Sequence, residues 1–518
     1  MHDFILEAAN EGLISFITDN GGGGLSSSIG ESALFSGGCH VELEKVSLKY
    51  EGLDQWEIWI SESQERMTVA VNPENVNRFL ELSKLHAVES TVIGTYTDSG
   101  KLHITYDNKT CAYIDLKFLA SGFPKWEFEA QWQPPEKRGL FEPVLKEPAD
   151  YNRLLMDLLS RPNICSKEWI SRQYDHEVQG GSVIKPLAGV RRDVNSDAAV
   201  TRPLLDSKKG IAFAQALLPF YSKIDAWHMT QCTVDEAVRR LIAVGADLEH
   251  IGGVDNFCWP NIAYHPKDNP DGKFKAAQLV HSCKALKEIC LAYEIPLLSG
   301  KDSMYVDGNL KGAYGEMHKV SALETLQFSA VSVVDDINKC VSMDIKIPGD
   351  SVYIIGDTRN ESGASEYYEH LGYVGSNVPE VHLEESAALY KALSASIKKG
   401  IIASAHGIYR GGLGVHLTMT AMAGELGMNI NLADVPCKDV DRNDVILFSE
   451  SSGRFIITVN PENRQSLEKI FKGLSWACIG EVTADKRLII NGVDKIKIAD
   501  VKVADLKKAW QKPFGGLI

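Results

Sequence analysis

The chain has 518 residues, too many for a single hydrophobic core, and about 150 residues per domain favours roughly three domains. Hydrophobic residues make up 44% and charged residues 24%, which is typical of a soluble globular protein and excludes a low-complexity or disordered chain. The formal charge of −15 would repel nucleic acid and anionic lipid, so a bound nucleotide needs a local site and a divalent cation.

The ten cysteines are scattered, with no Cys-x-x-Cys and no histidine cluster at zinc spacing, so we expect reduced thiols in the core. The opening "MHDFILEAANEGL" carries acidic residues where a signal peptide has a basic flank. No apolar run approaches the length of a membrane span. These features predict a cytoplasmic protein without a membrane partner.

The first pattern along the chain is "FILEAANEGLISFITDNGGGGLSSS", which predicts an amphipathic helix, a short strand, a glycine loop and a helix that starts near Leu25. Free backbone N–H groups in such a loop, at a helix N-terminus, suit a phosphate. Asp19, at the end of the strand, is placed to bind a divalent cation. The loop matches neither the Rossmann nor the Walker glycine pattern, and a merely tight turn is the alternative.

The next pattern, "IWISESQERMTVAVNPENVNRFLEL", predicts a buried strand, a turn, a second strand and a helix capped by Asn-Pro-Glu-Asn. Glu62, Ser63 and Gln64 follow the first strand, and all three side chains can hydrogen-bond to a ligand. A structural turn is the alternative. Proline and charge between Trp132 and Asp150 then predict a linker.

Two apolar segments of the middle region lead into polar residues. "HIGGVDNFCWPN" and "IPLLSGKDSMY" predict strand-end loops that carry Asp255 with Asn256, and Ser299 to Ser303. Gly-Lys-Asp-Ser offers a glycine for close approach, a cation for phosphate and a carboxylate for metal, although Lys301 could equally be a solvated surface lysine.

Another polar stretch of the middle region, "SRQYDHEVQGG", brings together Arg172, Tyr174, Asp175 and His176, where a lone histidine favours a structural role. The sequence has no Gly-x-Ser-x-Gly or Gly-x-Cys-x-Gly elbow, so we expect no glutaminase nucleophile.

The first two patterns recur near the other end of the chain. "LSASIKKGIIASAHGIYRGGLGVHLT" and "ILFSESSGRFIITVNPENRQSLEKI" place Leu413, Glu450 and Pro461 where the first copy has Leu25, Glu62 and Pro73, always 388 positions later. Unrelated units would not keep this register, and short-period repeats would recur every 20 to 50 residues or so. The sequence therefore predicts one α/β domain used twice.

The predicted domains are 1–131, a linker at 132–150, a middle domain at 151–345 and the second copy at 346–518. The first copy begins inside a helix, about two turns before its glycine loop, so we expect its start to be truncated. Gly407 stands where the first copy has Asp19, which favours a metal site in the first copy and a packing role for the second glycine loop.

These motifs, taken in order, resemble the formylglycinamidine ribonucleotide synthetase family, within the aminoimidazole ribonucleotide synthetase superfamily. The resemblance implies an α/β (α+β) fold with two C-terminal-type domains flanking one N-terminal-type domain. It also implies that the first N-terminal-type domain, which carries the catalytic histidines of the family, is missing. The general base therefore stays unknown.

The resemblance assigns roles to individual residues. It implies that Asp19 binds metal, that Asp255 and Gly300 contact ATP, and that the substrate contacts are Glu62, Ser63, Gln64 and Ser303. Lys301 stands where small members of the family have a metal-binding asparagine. Gly407 and Arg410 replace aspartates common in the family, which argues against a second nucleotide site.

The implied reaction is amidation of formylglycinamide ribonucleotide with ATP and Mg²⁺ in purine biosynthesis. Ammonia would come from a separate glutaminase subunit, with a small accessory subunit as a further partner and a homo-oligomer as another possible assembly. Two alternatives remain open: a nucleotide-binding or interaction protein of the superfamily without catalysis of its own, and a superfamily kinase that acts on another small molecule.

Overall fold

The computed structural model describes residues 1–122, 124–174 and 176–517, which form two compact units, Met1–Glu127 and Phe128–Ile518. No helix among these residues is both long and apolar enough to cross a membrane.

The first unit contains five α-helices and six strands within its described residues. The helices are α1 His2–Asn10, α2 Leu25–Ser36, α3 Gln55–Ile60, α4 Val76–Leu85 and α5 Leu116–Ser121. The strands are β1 Ile14–Asp19, β2 Cys39–Glu42, β3 Met67–Val71, β4 Gly94–Tyr96, β5 Lys101–Tyr106 and β6 Lys109–Asp115. They form a two-stranded sheet, β1-β3, and a four-stranded sheet in the order β4-β2-β5-β6.

The second unit continues with helices α6 to α15. They are α6 Tyr151–Leu159, α7 Glu168–Ser171, α8 Ala226–Ala243, α9 Gly272–Ala292, α10 Glu366–His370, α11 Leu383–Lys398, α12 Gly412–Gly424, α13 Asn443–Phe448, α14 Arg464–Ile470 and α15 Val503–Gln511.

The strands of the second unit are β7 to β25. In the part before residue 340 they are β7 Ser182–Ile184, β8 Leu187–Ala188, β9 Val194–Asn195, β10 Ala199–Thr201, β11 Gly210–Leu217, β12 Ile251–Cys258, β13 Leu297–Ser303, β14 Asp307–Lys311, β15 Met317–Ser321 and β16 Thr325–Val334. After it they are β17 Ser351–Ile355, β18 Thr358–Arg359, β19 Ile402–Gly407, β20 Gly427–Asn431, β21 Cys437–Lys438, β22 Phe455–Val459, β23 Trp476–Thr483, β24 Arg487–Asn491 and β25 Lys497–Lys502.

Two large sheets organise the second unit. A six-stranded sheet, β13-β12-β16-β11-β10-β7, buries alternate residues of β11 and β16 against α8, while the other residues of these strands face outward. A seven-stranded sheet runs β19-β22-β17-β23-β20-β24-β25, and every residue of β17 and β22 is buried. These two neighbouring strands are thus covered on both faces.

The structure confirms the α/β fold and the repeat of its glycine-loop unit. The first glycine loop lies between β1 and α2, and its counterpart lies between β19 and α12. The long middle helices are also present, as α8 and α9.

Several local predictions were wrong. Residues 55–60 and 443–448 are helical rather than strands, so Glu62 follows a helix. In the first case Asp54 and Glu57 form a capping box, and this local signal outweighs the β preference of a short aromatic and isoleucine-rich run.

The expected loops at Asp255 and at Ser299 to Ser303 lie within β12 and β13, because the two segments pair in parallel over this whole length. The thiols are free as expected, but Cys111 and Cys283 are exposed rather than in the core, since each lies on the outward side of its element.

One buried carboxyl gives the second unit a dependence on pH. Burial raises the pKa of Glu361 to about 7, against 4.5 for an exposed glutamate, with Ser451, Arg454 and Arg359 opposing the shift and Glu380 adding to it. Between about pH 4.5 and 7 the folded state keeps the proton on Glu361, whereas the unfolded state has lost it. Stability from this group is therefore present below about pH 4.5 and is lost as pH rises to about 7.

We expect Glu361→Gln, which mimics the neutral acid, to raise the free energy of unfolding at pH 8 by on the order of 2 kcal/mol. The gain should shrink towards pH 5. Guanidinium unfolding curves at both pH values test this, and a gain of equal size at both would show that ionisation of Glu361 is not its cause.

Candidate functional site

The first glycine loop is shaped from both ends by carboxylates. Asp19 lies at the end of β1 and is exposed, and its Oδ1 accepts a hydrogen bond from the Gly21 N–H at 2.7 Å. Glu62 Oε1 accepts from the Gly23 N–H at 3.0 Å. The Gly24 N–H donates to the Gly21 carbonyl at 3.0 Å. The expectation of free N–H groups is thus wrong for these three glycines, because nearby acceptors already bind them.

Gly24 brings the loop against the Ser61 to Gln64 segment. Its φ is +59°, and a Cβ at this position would lie 2.1 Å from the Ser61 carbonyl oxygen, so only glycine fits. Asp19 and the Glu62 segment, 43 residues apart in sequence, therefore meet at one loop. Glu62 and Gln64 are exposed and Ser63 is partly exposed, which leaves these side chains accessible to a ligand.

Arg66 holds the Glu62 segment in place, a role that the sequence reasoning missed. Its Nε donates to the Ser63 carbonyl at 3.3 Å and its Nη2 donates to the Ser61 carbonyl. The hydroxyls of Ser61 and Ser63 lie 2.9 Å apart. The arginine thus closes the segment into a turn with Glu62 at its tip.

The second copy repeats these contacts at positions 388 residues later. Arg454 Nε donates to the Ser451 carbonyl at 3.0 Å, and its Nη2 donates to the Ser449 carbonyl at 2.6 Å. Glu450 Oε1 accepts from the Gly411 N–H at 2.7 Å, as Glu62 does from Gly23. The identical spacing of the two arginines in "SESQER" and "SESSGR" was the signal that could have found Arg66.

The two copies differ in what surrounds the matched glutamates. Glu450 is buried and also binds the Tyr221 hydroxyl at 2.6 Å, the Glu366 N–H at 2.9 Å and the Arg410 guanidinium at 3.3 Å. Arg410 in turn pairs with Glu366 at 2.6 Å. The second glutamate is therefore occupied by the protein itself, whereas Glu62 is exposed.

Asp255 and Gly300 are direct neighbours across the β12–β13 pair. A Cβ on Gly300 would lie 3.0 Å from Asp255 Oδ1, so the glycine lets the carboxylate approach the strand. Burial, with a smaller contribution from Asp302, raises the pKa of Asp255. The two residues that the resemblance assigns to ATP are thus adjacent.

Ser303 lies on the opposite face of β13 from Asp302, because successive side chains of a strand alternate. Its hydroxyl accepts a hydrogen bond from Lys301 Nζ. Gly300 and its neighbour Asp255 lie on the same face as Asp302. The positions expected to contact ATP are therefore on the opposite face of the sheet from Ser303, which is expected to contact substrate.

A cavity of about 510 Å³ in the second unit lies beside the second glycine loop, and the sequence reasoning did not anticipate it. Its wall includes His406 and His416, whose Nε2 and Nδ1 lie 2.8 Å apart. His406 Nδ1 lies 2.8 Å from Asp197 Oδ2, and the Tyr409 hydroxyl donates to Asp197 Oδ1 at 2.6 Å. Asp197 and His406 are 209 residues apart, so no local pattern reveals this group.

Two buried groups beside this cavity have shifted pKa values. Burial and the neighbouring His406 hold the pKa of His416 well below the usual histidine value. Burial opposes ionisation of Asp197, but His406 and the hydrogen bonds from Tyr409 and Gly407 together outweigh it and lower the pKa of Asp197. The Gly407 N–H also donates to Asp197, at 3.0 Å. Gly407 thus serves to anchor the loop.

Two residues of the "RQYDHEVQGG" stretch have contacts within the second unit. Arg172 pairs with Glu168 and donates to the Arg192 carbonyl, and His176 Nδ1 lies within hydrogen-bond distance of the Ser171 carbonyl. Asp175 lies outside the described residues.

Comparison with known proteins agrees with the duplicated fold. The model of the AIR synthase related protein C-terminal domain matches residues 1–107 and 348–492, one segment in each copy. The PurL subunit of phosphoribosylformylglycinamidine synthase from Methanocaldococcus jannaschii is 33% identical over 516 residues, covering 99% of this chain and 66% of the relative.

Solved structures show the same fold. Thermotoga maritima PurL complexed with ADP has a TM-score of 0.58 at 20% identity and covers 93% of this chain and 66% of that chain. The same protein complexed with FGAR has a TM-score of 0.59 at 20% identity, covering 93% and 64%. The chain spans 63% to 66% of the length of the curated relatives it matches. The duplicated domain, the loop contacts that both copies make and these matches show that the chain belongs to the PurL family of AIR synthase related proteins.

Proposed function

We propose that this chain takes part in the ATP-dependent amidation of formylglycinamide ribonucleotide to formylglycinamidine ribonucleotide, as a C–N ligase of purine biosynthesis. The observation that carries the proposal is the match over 99% of the chain to a PurL subunit, together with the open Asp19 and Glu62 loop of the first unit. The chain spans 66% of the length of that relative, and we propose the activity for this chain together with the part of the relative that it does not match.

In this proposal the described residues bind and orient the reactants. Ser63 and Gln64 would donate hydrogen bonds to the substrate, and Glu62 would accept one while it keeps Gly23 in place. Ser303 would contact substrate as well, and Asp255 beside Gly300 would contact ATP. Fixed donors of this kind lower a barrier by positioning and by stabilising charge that develops on oxygen.

Asp19 fits a hard divalent cation, because its exposed carboxylate supplies the oxygen ligand that Mg²⁺ prefers. When bound, Mg²⁺ would neutralise phosphate charge. We place the protein in the cytoplasm. We expect ammonia from a separate glutaminase subunit, because the sequence has no nucleophile elbow of its own.

The alternative is a nucleotide-binding protein of the superfamily without catalysis. It is favoured by the second glycine loop, which has Gly407 where the first copy has Asp19 and whose matched glutamate, Glu450, is bound within the protein.

An assay of product separates the two. The full chain is mixed with the N-terminal-type domain of the Methanocaldococcus jannaschii relative, ATP, Mg²⁺, formylglycinamide ribonucleotide and ammonium chloride. We expect ADP release that requires both the ribonucleotide and ammonia, with amidine product in equal amount. A complex that binds ATP but forms no amidine would refute the ligase proposal and support the alternative.

Asp19→Asn tests the metal assignment. The asparagine oxygen can still accept from Gly21 N–H, so the loop should fold, but the loss of charge should weaken Mg²⁺-dependent ATP binding by about tenfold or more in calorimetric titrations. Asp98→Asn, at another exposed aspartate of the same unit, is the control and should leave the affinity unchanged. Unchanged binding by Asp19→Asn would remove Asp19 from the metal site.

A further inference from the structure

The second glycine loop, between β19 and α12, is held by an earlier part of the second unit. Arg239 on α8 is buried and donates to the Ile408 carbonyl at 2.5 Å. The neighbouring Arg240 guanidinium lies 4.1 Å from the centre of the Tyr409 ring. Each arginine also pairs with a carboxylate four residues earlier on the same helix. The loop therefore lies against α8 through a carbonyl and an aromatic face.

A tyrosine in this loop replaces the carboxylate of the first loop. Asp19 and Gly21 of the first copy match Gly407 and Tyr409. A Cβ on Gly407 would lie 2.2 Å from the Tyr409 hydroxyl oxygen, so the tyrosine fills the space beside this glycine. The hydroxyl donates to Asp197 Oδ1 at 2.6 Å, and the Gly407 N–H donates to the same oxygen at 3.0 Å. The carboxylate at the second loop thus comes from the segment between β9 and β10.

Two histidines extend the hydrogen bonds that begin at this carboxylate. His406 Nδ1 lies 2.8 Å from Asp197 Oδ2, and His406 Nε2 lies 2.8 Å from His416 Nδ1. His416 Nε2 lies 3.1 Å from the Arg410 carbonyl oxygen. The side chains of Asp197, His406 and His416 are all buried. One continuous set of contacts therefore joins the β9–β10 segment to the residue two positions before α12.

The number of protons on the two rings follows from what each neighbour can do. Asp197 accepts three hydrogen bonds, which favours its ionised form. A carboxylate and a carbonyl oxygen only accept, so His406 Nδ1 and His416 Nε2 each carry a proton. The contact between the rings needs a third proton, on one of the two facing nitrogens. The pair therefore holds three protons and one positive charge.

A pair with only two protons would lose one of these bonds. Two bare nitrogens would then face each other at 2.8 Å, or a ring nitrogen without a proton would face an oxygen. Leaving buried polar groups unsatisfied in this way costs about 1–3 kcal/mol. The third proton therefore stabilises the loop in its closed position.

Several other charged and titratable groups lie around the pair, and most have partners of their own. They are Arg239 with Asp235, Arg240 with Glu236, Arg410 with Glu366 and Glu450, Lys167 with two backbone carbonyls, and the neutral Tyr409 and Cys165. Asp197 contacts the histidine pair directly, so its negative charge favours the positive charge of the pair.

We propose that the His406 and His416 pair is a proton-dependent latch that keeps the second glycine loop closed. Opening the loop would expose both rings to water, where most histidines are neutral above about pH 6.5. Closure above this pH therefore takes up a proton and becomes less favourable as pH rises, whereas at lower pH the stabilisation is fully present. This inference rests on the hydrogen-bond geometry and does not depend on the proposed enzyme activity.

Nitrogen-15 NMR of the full chain, labelled at histidine, measures the protons on each ring. At neutral pH we expect three protons on the pair, with signals assigned by their loss in His406→Asn and in His416→Gln. Amide hydrogen exchange of Gly407, Ile408 and Gly411, corrected for the intrinsic effect of pH, measures opening of the loop. As pH rises, the third proton and the protection of these amides should be lost over the same interval.

The His406→Asn variant tests the latch without a change of pH. The asparagine Nδ2 can still donate to Asp197 but carries no charge, so we expect protection of the loop to fall about tenfold at neutral pH and to lose its dependence on pH. His370→Asn, at an exposed histidine of the same unit, should behave as the unaltered chain does. Circular dichroism checks folding, and if His406→Asn is unfolded, the pH titration of the unaltered chain decides alone.

Three outcomes would overturn the proposal. The first is a pair with only two protons at neutral pH. The second is loss of the third proton without loss of protection, or loss of protection while that proton remains. The third is a folded His406→Asn chain whose loop keeps the protection and the pH dependence of the unaltered chain, which would give the histidines a packing role only.

Discussion

Replacing Asp235 with alanine is expected to destabilise the second unit by about 3–5 kcal/mol. Asp235 is fully buried on α8, where its Oδ2 lies 2.7 Å from Arg239 Nε and its Oδ1 accepts from the hydroxyls of Tyr293 and Tyr390. The alanine would leave a buried guanidinium without its counter-ion and two buried hydroxyls without their acceptor. Because Tyr390 lies on α11 and Tyr293 follows α9, the loss would also loosen the packing of three helices.

The chain offers a matched control for this substitution. Asp157 forms an i,i+4 pair with Arg153 on α6, in the reverse order along the helix, at 2.9 Å, but the arginine side chain is 72% exposed. Asp157→Ala should cost about 0.5 kcal/mol or less, since exposed pairs contribute little. Guanidinium unfolding of both variants measures the difference, and similar losses would contradict the account of the Asp235 network.

The second large effect is expected at Arg454. Its side chain is fully buried and donates to the Ser449 and Ser451 carbonyls and, at 2.8 Å, to the Thr358 hydroxyl. Arg454→Met should lower the free energy of unfolding by about 3–5 kcal/mol, because it leaves these acceptors buried without a donor.

Arg66→Met makes the same change in the first copy. Arg66 is partly exposed, so water can replace its two hydrogen bonds, and we expect a loss of about 1 kcal/mol. Comparing the unfolding curves of Arg454→Met and Arg66→Met shows whether burial of the arginine, rather than its bonds to the serine carbonyls, determines the loss in free energy of unfolding. Equal losses would contradict this explanation.

The duplication could be predicted from the sequence because register is a strict test. Three landmarks kept a spacing of 388 residues, and the structure places the matched residues in the same hydrogen bonds, as Glu62 with Gly23 and Glu450 with Gly411 show. Local turn chemistry at the glycine loops was readable for the same reason, since a strand, glycines and a helix are neighbours in sequence.

Contacts between distant segments could not be predicted in this way. The Gly23 N–H looked free because its acceptor, Glu62, lies 39 residues away in the sequence. Asp255 and Gly300 looked like loop residues because their glycine-rich surroundings conceal the parallel pairing of β12 with β13. Helix α3 was misread, although the Asp54 and Glu57 spacing of its capping box was present in the sequence.

The asymmetry between the copies has a physical basis at one pair of residues. Glu450 is buried among Tyr221, Arg410 and two backbone N–H groups, and burial raises its pKa. Glu62 keeps only the shared glycine contact in the described structure and is exposed. We therefore propose that the first copy provides a ligand site and that the second copy uses the same loop to hold the fold together.

Calorimetric titration of formylglycinamide ribonucleotide into the Glu62→Gln and Glu450→Gln variants tests this claim most directly, with unfolding curves recorded alongside. The account predicts that Glu62→Gln weakens binding about tenfold or more without loss of stability, while Glu450→Gln destabilises the fold by about 1–3 kcal/mol and leaves the affinity of the folded protein unchanged. The reverse pattern, with affinity lost at Glu450 and kept at Glu62, would contradict it.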